Sequence, residues 1–397
     1  MVGNRRGGNL PPAVGGQLQQ KRGFFEDKIV IREYDHIIFV CAMVLVAIGL
    51  TMVLSASSYV QMQAGATFAL FRQQLIGAIM GIAALAFFAM LNYNRLAKLA
   101  LIGYIFANGA LVWVLFFGRE VNGAMRWIDV GGSGAGAWFT FQPSELAKIA
   151  LVLMLAVYIN NDRDRINRWW GIAIYALLTA IPVVLVALGR NLSTVIILSA
   201  MSAIMLFLAS PYFWRWIILA VSMVSAGLFA LRTGLLGGMR GSRMAAWEDP
   251  FSDPQGFGFQ TVQSLLAVGS GGLFGRGLGN SIQKRYYLPE AQNDFIFAII
   301  IEELGLFGGA VILLLFAILV WRGMRVAINA KSPLGMLIAT GITAMFALQV
   351  LINVGVVTNT IPNTGIPLPF ISYGGTSIAV MLGAVGILLN ISKYQKI

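Results

Sequence analysis

Ten apolar windows of close to twenty residues recur along the chain, at about 34–54, 69–90, 97–117, 144–160, 170–188, 192–209, 213–231, 295–320, 334–357 and 377–392. A helix rises about 1.5 Å per residue, so each window has roughly the length that crosses the ~30 Å hydrocarbon layer of a bilayer. Inside that layer every backbone N–H and C=O must be satisfied within the protein, which makes helices the spanning element for such windows. Most of them lack a polar face, so they do not suit the amphipathic helices of an oversized soluble core. Composition agrees. Of 397 residues, 58% are hydrophobic and only 11% charged, against roughly 25% charged in soluble domains. The expected fold is all-α, a polytopic membrane protein of about ten transmembrane helices. The windows 144–160 and 192–209 are short and follow polar or proline-containing stretches, which suits broken or tilted helices.

The formal charge is +12, but the basic residues lie mainly in short connections and the N-terminal tail. Membrane topology accounts for that pattern better than nucleic acid, and no nucleic-acid partner is expected. Basic connections alternate: the tail, Arg95 and Lys98, the 163–168 stretch, Arg215, the 322–331 stretch, then Lys393 and Lys396. The positive-inside rule therefore puts both termini in the cytoplasm. Residues 1–33 read as a disordered cytoplasmic tail without a signal peptide. Residues 34–392 read as one membrane domain, with 232–293 a large outer loop between helices 7 and 8, and 393–397 as a second cytoplasmic tail. One cysteine, Cys41, and one histidine, His36, leave no intrachain disulfide, cysteine-metal cluster or multi-histidine site. The outer side still carries Arg232, Arg240, Arg243, Arg276, Lys284 and Arg285. Either long loops escape the topology rule, or these residues meet an anionic ligand.

The stretch "YLPEAQNDFIFAIIIEELG" (287–305) sets four carboxylates against an oily run. Ionisable residues at membrane depth are expensive, so each is a functional candidate. Asp294 stands where the eighth helix begins, and two roles fit it: a helix N-cap, which Asn would fill equally well, or a general base in a partly apolar setting. Glu290 either supports that site or is solvated. Glu302 and Glu303 lie about 12–14 Å deeper at the helical rise, too far to form a two-carboxylate glycosidase pair with Asp294. They are expected to pair with buried polar or basic groups.

Other motifs are polar islands in apolar surroundings. In "FQPSELAK" (141–148), Pro143 suits an early helical position and Ser144 a local cap. Glu145 and Lys148 share a helix face, either as a self-paired salt bridge or as support for a polar cavity. In "NGAMRWI" (122–128), Arg126 and Trp127 form an interfacial pair that reaches headgroup level, where phosphates lie. The last outer loop, "NTIPNTGIPLPFISYGGTS" (359–377), carries Thr364, Ser372, Tyr373 and other neutral donors. These suit sugar hydroxyls, or simply the packing of a bent loop. Gln349 and Asn353 share a helix face and are expected to join helices.

Taken in order, "NGAMRWI", "FQPSELAK", the long stretch from "DPFSDPQGFGFQ" to "YLPEAQNDFIFAIIIEELG" and "PNTGIPLPFISYGGTS" resemble the SEDS family (shape, elongation, division and sporulation) over about 34–392. "YLPEAQNDFIFA" is more similar to the division and sporulation branch than to the elongation branch. The resemblance implies a peptidoglycan glycosyltransferase polymerising lipid II into β-1,4 glycan strands at the outer face of the cytoplasmic membrane. It places the essential acid on Asp294, the polar pair on Glu145 and Lys148, and the last-loop motif on Ser372, Tyr373 and Gly374. Arg243, in an R-x3-W-x-D-P pattern, is the first candidate to stabilise the leaving pyrophosphate, with Lys284 and Arg285 behind it. A divalent ion bridging that pyrophosphate is compatible with the chemistry, but the sequence shows no metal cage and no certain cofactor. The resemblance also implies a cognate class B penicillin-binding protein and other divisome or sporulation membrane proteins as partners. One departure stands at "GRNLST" (189–194): many members carry an acid where this chain has Asn191, and an amide cannot act as a base there. Two rival functions remain at this point, a lipid II flippase and a non-enzymatic division or cortex scaffold. Clustering of the polar motifs on one face favours surface chemistry over alternating access.

Overall fold

The computed structural model describes residues 30–31, 33–63, 68–121, 124–130, 139–210, 247–256, 258–285, 287–289 and 291–395. Its helices are α1 (His36–Gln63), α2 (Ala69–Met90), α3 (Tyr93–Lys98), α4 (Ala100–Phe117), α5 (Pro143–Asn161), α6 (Trp169–Leu188), α7 (Leu192–Ala209), α8 (Phe259–Ser270), α9 (Ile296–Ile328), α10 (Pro333–Val357) and α11 (Gly375–Ser392). Among the described residues nine of these, all but α3 and α8, are long and apolar enough to cross a membrane. They coincide with nine of the ten windows; the tenth, 213–231, lies outside the described residues.

Local chemistry explains the helix starts. Pro143 and Pro333 open α5 and α10, where a missing N–H costs no helical bond. Ser332 caps α10 by accepting from the Gly335 amide at 3.0 Å, and Asn191 caps α7 through the Thr194 amide at 3.2 Å. Ser144 does not cap α5 as expected. It sits inside the first turn, and its buried hydroxyl has no hydrogen-bond partner among the described residues.

The centre of the bundle is built from α11, α5 and α10. Their apolar windows are 89%, 72% and 72% buried, against 22% for α6, which faces outward. Small residues set the closest approach. A β-carbon on Gly77 of α2 would lie 2.5 Å from the Gly375 α-carbon of α11, so these two backbones touch as only glycine allows.

Two departures from an all-helical chain are instructive. The described residues of the connection between α4 and α5 form a three-stranded antiparallel sheet of β2 (Arg119–Val121), β3 (Ala124–Val130) and β4 (Phe139–Phe141), in the order β2-β3-β4. The β3–β4 register pairs Ile128 with Phe141 and Asp129 with Thr140. β-Branched and aromatic residues without helical spacing favour strands here. The tail expected to be disordered through residue 33 also has order at its end: β1 (Val30–Ile31) pairs antiparallel with β5 (Tyr394–Gln395). Asp35 holds this clasp, binding Arg322 at 2.6 and 2.9 Å and donating its amide to the Ser392 hydroxyl at 3.1 Å. Both ends of the described chain therefore lie on one face.

On the opposite side of the bundle, α9 is interrupted at Gly305, whose φ of 75° and ψ of −179° are non-helical. In an unbroken helix the carbonyls of Glu302 and Glu303 would accept from Leu306 and Phe307. Here they accept instead from the amides of Arg276 (2.9 Å) and Gly277 (3.0 Å), while Leu306 and Phe307 donate to Gly272 (2.9 Å) and Leu273 (3.1 Å). The glycine-rich loop thus supplies the hydrogen bonds the helix lost. That exchange lets irregular backbone lie within the bundle without orphaned polar groups.

Candidate functional site

Asp294 directly precedes Phe295, which occupies the N-cap position of α9, so the carboxylate stands one residue outside the helix. It is half-buried. Three consecutive carbonyls lead up to it, and each is held from outside its own segment. Tyr373 N donates to Gln292 O at 2.9 Å, Ser372 Oγ to Asn293 O at 2.6 Å, and Asn353 Nδ2 to Asp294 O at 2.8 Å. Asn353 also donates to Ile366 O at 2.6 Å, which ties the last loop to the same point. The Ser372 hydroxyl accepts from Leu368 N at 2.7 Å, closing that loop on itself. The carboxylate faces Gly365, where φ is +69° and a β-carbon would lie 2.9 Å from Asp294 Oδ2.

The last loop is itself anchored at depth. Gln74 of α2 donates to Ser372 O at 3.1 Å and accepts from Gly374 N at 2.9 Å. The Tyr373 hydroxyl donates to Gln73. Burial pushes the Tyr373 phenol up to about 12, against the opposing pull of Arg119, so it is a neutral hydroxyl at physiological pH. Thr364 is half-buried, and its Oγ1 has no hydrogen-bond partner among the described residues. Two pieces of the large loop dock beside it: Asn363 Nδ2 reaches Gln260 Oε1 of α8 at 2.8 Å, and Trp247 Nε1 reaches Asn359 O at 3.1 Å.

Glu145 and Lys148 form a buried pair at 2.8 Å, each side chain 2% exposed. Ser377, in the first turn of α11, donates to the other Glu145 oxygen at 3.2 Å. The pair thus joins α5 to α11. Arg126, on β3, donates to the Arg190 carbonyl. With Ser144 and Asn191 it borders a cleft of about 20 Å³, room for roughly one water.

Lys284, expected behind Arg243 as a contact for the pyrophosphate, is instead buried at 4% exposure, with Nζ 2.8 Å from Glu303 and 3.0 Å from Ser55 Oγ. Glu303 also accepts from Ser55 at 2.7 Å, while Glu302 accepts from Ser281 Oγ and, at 2.9 Å, from Ile282 N. The cause is depth. A carboxylate two turns into α9 is costly unless a cation and hydrogen bonds come to it, and the re-entrant loop brings them. Arg285, one residue on, is exposed. Arg243 and Glu290 lie outside the described residues.

Asp294, Thr364, Ser372 and Tyr373 are therefore gathered in one place, with Lys284 and the Glu145–Lys148 pair each neutralised in a network of its own. Sequence reading missed Gln73, Gln74 and the reach of Asn353 to Asp294. Two adjacent glutamines in the apolar window 69–90 were the available signal. Among the described residues, no three His, Cys, Asp or Glu gather as metal ligands. A carboxylate on an immobilised backbone, with Glu302 and Glu303 engaged elsewhere, suits removal of a proton from a hydroxyl whose attack expels a stable anion.

The family described as cell cycle protein (FtsW, RodA and SpoVE) matches residues 35–397. Stage V sporulation protein E of Bacillus subtilis (strain 168) is 40% identical, over 91% of this chain and 98% of its own. A probable peptidoglycan glycosyltransferase FtsW of Geobacter metallireducens is 38% identical, over 92% and 96%. A solved structure described as "Structural coordination of polymerization and crosslinking by a peptidoglycan synthase complex" superposes with a TM-score of 0.74 at 26% identity, over 91% of this chain and 99% of that one. Thermus thermophilus rod shape determining protein RodA superposes with a TM-score of 0.66 at 28% identity, over 91% and 97%. With the family match running over residues 35–397 and nine membrane-length helices among the described residues, the chain belongs to the FtsW/RodA/SpoVE family of multi-pass membrane proteins.

Proposed function

We propose that this chain is a peptidoglycan glycosyltransferase, polymerising lipid II into β-1,4 glycan strands during division or sporulation. The observation that carries the reading is the half-buried Asp294 carboxylate at the end of α9, its preceding backbone held by Tyr373, Ser372 and Asn353. Relatives named for this activity support it.

Asp294 takes the proton from the 4-hydroxyl of the acceptor sugar. The freed oxygen pair attacks C1 of the donor, the C1–O bond to pyrophosphate breaks, and undecaprenyl pyrophosphate departs with inversion. That leaving group is already a stable anion, so it needs charge stabilisation more than a protonating acid. Arg285, exposed, and Arg243 are the basic candidates for it; Lys284 is withdrawn from this role by its bond to Glu303. Thr364, next to Gly365 in the last loop, has a buried hydroxyl without a hydrogen-bond partner among the described residues and is the neutral donor offered to a sugar hydroxyl. Arg126, which donates to the Arg190 carbonyl, is assigned to the lipid headgroup.

The site lies on the outer face of the cytoplasmic membrane, and both termini lie in the cytoplasm; the pairing of Val30–Ile31 with Tyr394–Gln395 at the ends of the described chain supports a common side. A class B penicillin-binding protein is the partner, by analogy with the synthase complex that this fold resembles. The deciding experiment is lipid II polymerisation by the purified full chain with that partner, comparing wild type with Asp294→Asn. Glycan strands from wild type and none from the folded amide variant are expected. Equal product from both would remove Asp294 from the mechanism.

A further inference from the structure

We infer that Asn353 is a positioning residue for the Asp294 carboxylate, fixing the backbone from which it projects. This rests on Asp294 acting as the base. Asn353 is 0% exposed near the end of α10, where an unpaired amide is costly. Its single NH2 group is divided between two carbonyls from different segments, Asp294 O at 2.8 Å and Ile366 O at 2.6 Å. The first belongs to the residue that carries the base. The second lies one residue from Gly365, whose α-carbon faces the carboxylate. One side chain therefore sets the distance between the base and the loop that forms its opposite wall.

Geometry of this kind acts on the chemical step. A displacement of about 1 Å at a reacting group costs roughly a hundredfold in rate, and a base that has drifted still leaves the substrate pocket intact. Asn353 touches no reacting atom in this arrangement; it acts through Asp294. Gln349, one turn away on the same helix face and 1% exposed, supplies the internal control. Neither its Nε2 nor its Oε1 has a hydrogen-bond partner among the described residues.

The test uses the purified full chain with its penicillin-binding partner and lipid II, and measures kcat and KM for wild type, Asn353→Leu, Asn353→Ala, Gln349→Leu and Asp294→Asn. Leucine keeps the size of asparagine without its donor and suits an apolar bundle, so the fold survives if alanine proves too small. Asn353→Leu is expected to lower kcat roughly tenfold to a hundredfold with KM within about twofold of wild type. Gln349→Leu is expected to leave both unchanged. An unchanged kcat in a folded Asn353→Leu overturns the inference, as does an equal loss in Gln349→Leu, which would mark a general weakening of α10. Full activity in Asp294→Asn would instead remove the proposed function itself, whatever Asn353 does.

Discussion

Gly305 and Gly275 stand back to back: a β-carbon on Gly305 would overlap the Gly275 nitrogen, and one on Gly275 would lie 2.5 Å from the Gly305 nitrogen. This contact is where the re-entrant loop enters the broken helix. Gly305 occupies φ 75° and ψ −179°, a region essentially reserved for glycine. Gly305→Ala is expected to cost about 1–3 kcal/mol in backbone strain alone, with the overlap on top. Hydrogen exchange should show the amides of Arg276, Gly277, Leu306 and Phe307 losing protection together. Unchanged protection at all four would mean the loop does not depend on this contact.

Loss of one partner from the Lys284–Glu303 pair should hurt more than loss of both. Glu303→Met leaves a buried ammonium with only Ser55 beside it, and breaking a buried pair in this way costs roughly 3–5 kcal/mol. Lys284→Met combined with Glu303→Met removes both charges and should recover most of that loss. Unfolding midpoints of the two single variants and the double variant, in detergent, make the cycle. Additive losses would show that the two residues are not coupled.

Gly365→Ala places a methyl group 2.9 Å from Asp294 Oδ2 at a φ of +69°. The left-handed conformation costs an alanine about 1 kcal/mol, a modest loss of stability. Polymerisation should fall much further, by about tenfold or more, because the carboxylate must move. Steady-state rates beside a thermal melt separate the two effects. A rate that falls only in step with folded protein would remove Gly365 from the wall of the site.

At the face that carries the chain ends, Asp35→Asn weakens the bond to Arg322 and with it the clasp of Val30–Ile31 on Tyr394–Gln395. The Arg322 side chain is 27% exposed, so solvent screens part of the interaction, and a loss of about 1–2 kcal/mol is expected. Faster amide exchange at Ile31 and Tyr394, with polymerisation unchanged, is the expected signature. Loss of polymerisation would link this clasp to the site across the bundle.

Much of the fold was legible before any coordinates. Apolar length alone located nine described spans, because a spanning helix satisfies its own backbone bonds and needs no tertiary partner to do so; α1 runs nine residues past its expected end, to Gln63, and α9 eight past its own, to Ile328. The pairings of Glu302 and Glu303 were legible in kind, since depth at 1.5 Å per residue put them in the bundle. Their partners were not. Ser55 is 248 residues from Glu303 in sequence, and Lys284 looked like any other basic residue of an outer loop.

The sheet at 119–141 and the clasp of β1 on β5 were equally invisible, since a strand is satisfied only by another strand that sequence does not name. Asn353 shows the same limit at the site. Its place on a polar helix face could be read from spacing, but not its reach to Asp294 O and Ile366 O. What the sequence determined by itself was what the bilayer requires: helices of a certain length, and the rarity of charge within them. What only the tertiary structure decided was which polar groups meet, because a buried donor or charge is settled by whatever folding brings within about 3 Å of it.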